Sequence, residues 1–525
     1  MPKVLISDKM DKNAAEIFQN NGIIVDVKPG MKPEELAAII GEYDGLAVRS
    51  STTATAAIIA AAKNMKVIGR AGIGVDNIDV PAATNAGIVV MNTPFGNSIT
   101  TAEHAIAMMF AVARQIPQAN ASTHAGKWEK SGFMGVELYG KTLGVVGCGN
   151  IGSIVASRGI GLQMNVIAFD PFLSDERAGE LGVERVELDE LFKRVDFITL
   201  HVPKNEKTAN LINKDTIAKM KKGVRIINCA RGGIINEKDL KDALDSGYVA
   251  GAALDVFEKE PATENILFGH PGIVCTPHLG ASTTEAQVNV AIQVAEQMSA
   301  FLLHGAVSNA LNMPSISAEE APKLRPYMKL AEQLGSFAGQ IAEHAIKKIE
   351  VEYLGDVTSL NVKPLTAMAL ASLLKPVLDS VNMVNAPQVA KARGISVSET
   401  KTGDCADFHT AIKITVTTEN STRTIMGTLF AGREPRIVNI EGVPVEAAIS
   451  GHMLYLRNDD KPGLIGGVGT ILGAAGQNIA DFRLGRIEKE GAAVALISFD
   501  SAVPDAVLEK IRALPQVKKL CRLAF

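Results

Sequence analysis

The sequence lacks any apolar run near the ~20 residues that a membrane span needs, so no transmembrane helix is expected. It opens "MPKVLISDKM", with one basic residue before a short apolar run and no long hydrophobic region, so a secretory leader is not expected either. No block of five or six like charges occurs, and a net charge of −4 offers no basic arm or acidic tail; nucleic acid is not an expected partner. Cysteine is scarce. The five residues, Cys148, Cys229, Cys275, Cys405 and Cys521, are odd in number, far apart and without a Cys-x-x-Cys pair, which excludes a disulfide framework and a zinc or redox motif. No metal is expected. Cys148, Cys229 and Cys275 fall in or beside apolar runs and read as small buried hydrophobes. These absences describe a protein of a reducing compartment, with the cytoplasm as the expected location.

What is present is long and patterned. With 525 residues, 47% of them hydrophobic and 21% charged, the chain exceeds one core and predicts several domains. Its first part repeats an apolar run, a turn and a helical stretch: "KVLISD", "IIVDV", "GLAVRS", "MKVIGRAG" and "IVVMNTP" alternate with segments such as "KPEELAAIIGEY". That alternation predicts a parallel sheet with helices on both faces. "TTAEHAIAMMFAVARQIPQA", Ala-rich and free of glycine, predicts one long helix bridging to a second βα series from "KTLGVVGCGNIG" to "GIVCTP". Those later runs are almost continuously apolar, as buried central strands are. A helical stretch, "TTEAQVNVAIQVAEQMSAFLLHG", is expected to fold back onto the first domain. The expected partition is residues 1–96 plus 287–318, 97–286, 319–450 and 451–525. The last segment reads strand, helix, strand, strand, helix, strand, a ferredoxin-like βαββαβ unit.

"GVVGCGNIG" places Gly147, Gly149 and Gly152 in the G-x-G-x-x-G spacing between a strand and a helix, suited to a dinucleotide pyrophosphate at a helix N-terminus. About twenty residues on, the run "NVIAFD" ends in Asp170, whose carboxylate can accept from an adenosine ribose and would repel a 2′-phosphate; NAD is the expected cofactor. Further strands should end at "NCARGG" (Arg231), "LDVFEKEP" (Asp255, Glu260) and "TPHLGAST" (His278), and carboxyl ends of strands line the ligand crevice of such sheets. An imidazole can exchange the hydroxyl proton as an alcohol carbon loses hydride, a carboxylate beside it favours its charged form, and a guanidinium can grip a substrate carboxylate. Singly, each could be an ordinary surface charge. In this order they predict a dehydrogenase, with Arg231, Glu260 and His278 as catalytic candidates.

With "GRAGIGVDNID", "MNTPFGNS", "NCARGGIINE", "GAALDVFEKEP" and "PHLGAST", the chain resembles the D-isomer-specific 2-hydroxyacid dehydrogenases, in their long-form D-3-phosphoglycerate dehydrogenase branch. The resemblance covers the whole chain. It implies an α/β fold class of two Rossmann-like doubly wound domains, an α+β intervening domain and an ACT domain. It also implies Arg231, Glu260 and His278 as substrate anchor, charge partner and acid/base. Cofactor contacts are implied at Gly147, Gly149, Asn150, Ile151, Gly152, Asp170, Val202, Cys229, Arg231, Asp255, His278 and Gly280, and substrate contacts at Arg49, Ser50, Arg70, Gly72, Gly74, Asn97 and Lys130. The implied reaction is NAD-dependent oxidation of D-3-phosphoglycerate, which carries charge at both ends, as Arg49, Arg70 and Lys130 could answer. Another D-2-hydroxy acid, such as glycerate or 2-hydroxyglutarate, and an NAD-sensing scaffold remain alternatives. In the ACT segment Asn458, Asp460 and Asn478 match effector positions, for L-serine or another amino acid, and Arg436 of the intervening domain matches a possible anion contact. A homo-oligomer, dimer or tetramer, is implied as well.

Overall fold

The computed structural model describes residues 1–525 apart from 318, 379, 406, 489 and 490. The first five apolar runs form strands β1–β5 (Lys3–Ile6, Ile24–Val27, Gly45–Val48, Val67–Arg70 and Val89–Met91), all parallel, in the order β2-β1-β3-β4-β5. The second series forms β6–β12 (Thr142–Val146, Asn165–Phe169, Glu184–Arg185, Phe197–Leu200, Val224–Asn228, Val249–Leu254 and Ile273–Cys275), parallel throughout, in the order β12-β11-β10-β9-β6-β7-β8. The strand order turns back on itself between β6 and β9. In an open parallel sheet that reversal leaves a crevice at the strands' carboxyl ends, where ligands bind.

Two connections cross between these sheets. The Ala-rich stretch is not one helix. It runs Ser98–Arg114, breaks at Gln115 in the left-handed region (φ 51°, ψ 40°) and restarts as Ile116–His124. Pro117 explains the break, because it offers no N–H to a continuing helix but is well suited to the first turn of a new one. The return connection, Thr284–His304, starts where the Thr283 hydroxyl accepts from the Ala286 amide at 3.2 Å and ends at Gly305 with φ 70°. Its Val290, Val294 and Met298 share a buried cluster with Val4, Ile6 and Val67 of the first sheet. Gly69 makes this approach possible, since a Cβ there would lie 2.3 Å from the Met298 sulfur.

The third sheet comprises β13–β18 (Ile346–Gly355, Ser396–Thr402, Thr410–Thr418, Thr422–Phe430, Glu434–Ile440 and Val443–Ala447), in the order β14-β13-β15-β16-β17-β18. Only the β13–β14 pair among these is parallel. Leu330, Leu334 and Phe337 of helix Ala321–Gln340 pack with Ile412, Ile414 and Ile425 of the sheet. The last sheet, β19–β22 (His452–Asp459, Ile479–Arg486, Ala492–Phe499 and Val517–Ala524), is antiparallel in the order β20-β21-β19-β22. Helices Leu464–Ala474 and Asp505–Arg512 bury Val468, Leu472 and Ile511 against Leu454 and Ile497, the βαββαβ unit read from the sequence. Among the described residues no helix is long and apolar enough to cross a membrane.

Candidate active site

Loops from the first two sheets enclose a cavity of about 660 Å³ lined by Arg49, Ser50, Arg70, Gly72, Asn97, Glu260 and His278, among others. A neighbouring cavity of about 300 Å³ is lined by Ile73, Gly74, Asp76, Asn150, Ile151, Val202, Cys229, Arg231 and Gly280. Arg70, Asn97, Ala281 and His278 border both. The two spaces are therefore adjoining halves of one cleft.

His278 lies three residues beyond β12, in the left-handed region at φ 57°. A non-glycine residue holds that conformation at a cost of about 1–3 kcal/mol and needs its surroundings to enforce it. Asp255, just after β11, does so. Its carbonyl accepts from the His278 amide at 2.9 Å, and its carboxylate accepts from the amides of Leu279 (2.7 Å) and Gly280 (2.8 Å) and from the Thr276 hydroxyl (2.6 Å). His104, from helix Ser98–Arg114, lies 3.3 Å from the same carboxylate. Burial would raise the Asp255 carboxyl, but its bonds to His104, Thr276 and Leu279 bring it below the ordinary value. Expected from the resemblance to meet the cofactor, Asp255 is wholly buried, with both oxygens engaged on the turn that carries His278. Low polarity around a carboxylate demands such partners.

His278 Nδ1 lies 2.6 Å from Glu260 Oε2, and Glu260 Oε1 accepts from the Phe257 amide at 3.0 Å. An ionised carboxylate only accepts, so Nδ1 carries the proton and Nε2 is the free position of the neutral ring. The bond to Glu260 raises the imidazole pKa above its ordinary value against the opposing effects of burial and the Arg231 charge. Burial would raise Glu260, yet the bonds to His278 and the Phe257 amide lower it.

Arg231 follows β10 on a turn clamped by Asn228, which accepts from the Ala230 amide (3.0 Å) and donates to the Arg231 carbonyl (2.9 Å). Its guanidinium donates from Nε to Asp76 (3.0 Å) and from Nη1 to the Ala230 carbonyl (2.7 Å). Arg70, at the end of β4, has a buried Nε without an acceptor, and burial, reinforced by the Arg231 charge, brings its pKa down to about 10. Burial also lowers that of Arg49. The Arg49 loop wraps the buried Asp8, whose carboxylate accepts from the amides of Arg49 (2.6 Å), Ser51 (3.2 Å) and Thr52 (3.2 Å). Three guanidinium groups thus border the cleft, and among them the buried Arg70 Nε lacks an acceptor.

The residues of the glycine turn fit a dinucleotide. Gly147, at φ 88°, would place a Cβ 2.5 Å from the His201 carbonyl, and one at Gly152 would lie 1.9 Å from the Gly147 carbonyl. A Cβ at Gly149 would meet nothing within 4 Å, so that flank of the turn stays open for a ligand to approach. Asp170, beyond β7, accepts from the Cys148 amide (2.8 Å) and the Phe172 amide (2.8 Å), which ties its carboxylate to the glycine turn. His201 borders the smaller cavity as a neutral ring, because burial pushes its pKa down to about 4.

Other expectations fare differently. Lys130 sits exposed on the turn Lys130–Gly132 and lines neither cavity. Its loop follows the break at Gln115, which the sequence reading did not anticipate. Of the three cysteines read as buried, Cys229 is buried, Cys148 is half-buried and Cys275 is exposed on the larger cavity, because β12 ends there. In the last sheet a cavity of about 370 Å³ is lined by Asn458, Asp460 and the unanticipated Arg486, which donates to Asp460 at 2.7 Å. Asn478 does not line that cavity; it donates to Asp500 at 2.8 Å. Arg436 is engaged by Glu434 at 2.8 Å and lies over the Phe430 ring, 5.9 Å from its centroid. Asp8, Asp76 and His104 also escaped the sequence reading. Only Asp76 had a signal, lying within the "GIGVDNID" motif. Among the described residues no group of three or more His, Cys, Asp or Glu could hold a metal ion.

Residues 106–280 match the D-isomer specific 2-hydroxyacid dehydrogenase NAD binding domain, 323–441 the D-3-phosphoglycerate dehydrogenase intervening domain and 452–516 the ACT domain. D-3-phosphoglycerate dehydrogenase of Synechocystis sp. is 46% identical over 99% of this chain and 94% of its own length. That of Bacillus subtilis is 43% identical over 98% of each. The chain belongs to the D-3-phosphoglycerate dehydrogenase family. Solved structures cover the part shared with simpler 2-hydroxyacid dehydrogenases. A glyoxylate reductase from Paecilomyes thermophila superposes with TM-score 0.55 at 32% identity, over 59% of this chain and 98% of that one. The apo D-lactate dehydrogenase of Escherichia coli gives TM-score 0.53 at 28% identity, over 59% of this chain and all of that one (100%). Beyond that shared portion this chain carries the intervening and ACT domains.

Proposed function

We propose that the protein is an NAD-dependent oxidoreductase that converts D-3-phosphoglycerate to 3-phosphohydroxypyruvate, the first step of L-serine synthesis. The observation that carries this is the Glu260–His278 pair, 2.6 Å apart, on a cleft bordered by Arg49, Arg70 and Arg231. Arg231 grips the substrate carboxylate through its remaining N–H groups, while Arg70 and Arg49 take the phosphate. His278 Nε2 receives the hydroxyl proton, and Glu260 holds Nδ1–H and stabilises the imidazolium that results. When bound, NAD supplies the acceptor for the hydride that leaves the same carbon.

The chain partition that goes with this reading is a substrate domain of residues 1–96 and 287–318, a cofactor domain of 97–286, an intervening domain of 319–450 and an ACT domain of 451–525. Closure of the first domain on the second would exclude water from the reacting groups. The cavity at Asn458, Asp460 and Arg486 offers an amide and charges of both signs, suited to the amino and carboxylate groups of an amino-acid effector such as L-serine. The working form is a homo-oligomer in the cytoplasm.

The test is initial-rate NADH formation with D-3-phosphoglycerate, D-glycerate and 2-hydroxyglutarate, each with and without millimolar L-serine. A phosphoglycerate preference is expected, and equal rates on the three acids would overturn the assignment. Suppression by serine would support the effector site; its absence would remove serine from that role and leave the catalytic reading standing.

A further inference from the structure

The ion pair between Asp76 and Arg231 joins two different sheets. Asp76 lies in the loop between β4 and the helix Val80–Asn85, whereas Arg231 follows β10. The Asp76 carboxylate is largely exposed, at 76%, and an ion pair open to solvent on one side contributes little to folding. Stability therefore does not account for it. Its position on the guanidinium does suggest a use.

A guanidinium carries five N–H donors in one plane. In Arg231, Nε is taken by Asp76 and one N–H of Nη1 by the Ala230 carbonyl, which leaves three N–H donors on Nη1 and Nη2 together. With Nε taken by Asp76, the end formed by Nη1 and Nη2 is the one left to hold a carboxylate through two parallel bonds. With Nε fixed, rotation about the last side-chain bond is fixed too, and the gripping edge has one direction. Gly74 packs against the same group. A Cβ there would lie 1.7 Å from Arg231 Nη2 and 2.9 Å from Asp76 Oδ2, so the loop admits the guanidinium only because residue 74 has no side chain. Asp76 also offsets the like charges of Arg70 and Arg231, since its charge raises the Arg70 pKa while that of Arg231 lowers it.

We infer that Asp76 is a positioning residue for the reaction: it orients Arg231 toward the substrate carboxylate from across the cleft. This inference rests on the role proposed for Arg231. Asp76→Asn, which keeps an acceptor oxygen, should lower kcat/KM by about threefold, and Asp76→Ala, which removes it, by about tenfold or more. NADH affinity by fluorescence titration and Tm should stay at wild-type values in both. Gly74→Ala, which displaces Nη2, should reproduce the Asp76→Ala loss.

The decisive measurement is a double-mutant cycle with Arg231→Lys, because lysine has no second edge to orient. In that background the Asp76→Ala loss should shrink to less than about twofold. A loss of unchanged size would show that Asp76 acts independently of Arg231 and would overturn the inference, as would wild-type kcat/KM in Asp76→Ala itself. Wild-type activity in Arg231→Lys would instead remove the proposed grip by Arg231. The failure of that reading is thus distinguishable from the failure of this one.

Discussion

Replacing Glu260 by Gln keeps the side-chain volume, removes the charge and, by the geometry of the site, moves a proton. Glu260 Oε1 already accepts from the Phe257 amide at 3.0 Å. A glutamine there keeps its oxygen on that amide and turns its NH₂ toward His278 Nδ1, which must then accept instead of donate. The neutral imidazole becomes the Nε2–H tautomer, with no free nitrogen facing the substrate. Two losses combine. A hydrogen bond to a charged group contributes about 1.5–3 kcal/mol, and with side-chain exposures of 50% for His278 and 34% for Glu260 solvent screening reduces this to about 1–2 kcal/mol. That is roughly 5- to 30-fold in rate. The wrong tautomer adds about tenfold or more, so kcat should fall by about 10²–10³. The pH profile fixes the sign. Glu260 raises the His278 pKa, so in the oxidation direction, where the base must be neutral, the acidic limb of kcat/KM lies above the ordinary imidazole value. In Glu260→Gln that limb should move to lower pH, while NADH affinity stays near wild type. Stopped-flow and steady-state NADH formation from pH 5.5 to 9.5 would measure both. Turnover within about threefold of wild type, or a stationary limb, would refute the tautomer argument.

The parts of this fold legible in the sequence are those governed by local pattern. Runs such as "GVVGCGNIG" and "GIVCTP" announce buried parallel strands because nothing polar interrupts them, and the strand ends then locate Arg231 and His278 without further information. The order of elements likewise gives the βαββαβ unit at the end of the chain. The break at Gln115 was available in Pro117 but was outweighed by the length and alanine content around it. What escaped depends on contacts between distant segments. Asp8 is seven residues from the start, yet its buried carboxylate shapes the loop carrying Arg49. His104 sits in an Ala-rich helix whose neighbours say nothing of Asp255, about 150 residues later. Asp255 itself stands at a strand end, where a carboxylate can face a ligand or the protein. Here its carboxylate accepts from Thr276, Leu279 and Gly280 of the turn that carries His278, and no periodicity in the chain records that.

The anionic ends of the substrate and the glycine turn give two more tests. Arg70→Ala should lower kcat/KM for D-3-phosphoglycerate by about 10- to 100-fold and for D-glycerate by less than about threefold; equal losses would detach Arg70 from the phosphate. Arg49→Ala should show the same selectivity to a smaller degree, since Arg49 also donates to the Lys9 carbonyl at 3.0 Å. The glycines separate ligand approach from chain packing. In Gly152→Ala the new methyl would sit 1.9 Å from the Gly147 carbonyl, a backbone atom, so the turn must move. Overpacking of this kind costs about 1–3 kcal/mol, and both Tm and NADH affinity should fall. In Gly149→Ala the methyl meets no chain atom within 4 Å, so Tm should hold while NADH affinity drops by about tenfold or more. The contrast between the two variants carries the argument, because instability alone could weaken binding in the first but not in the second. Wild-type NADH affinity in Gly149→Ala would mean that the pyrophosphate does not pass on that side of the turn.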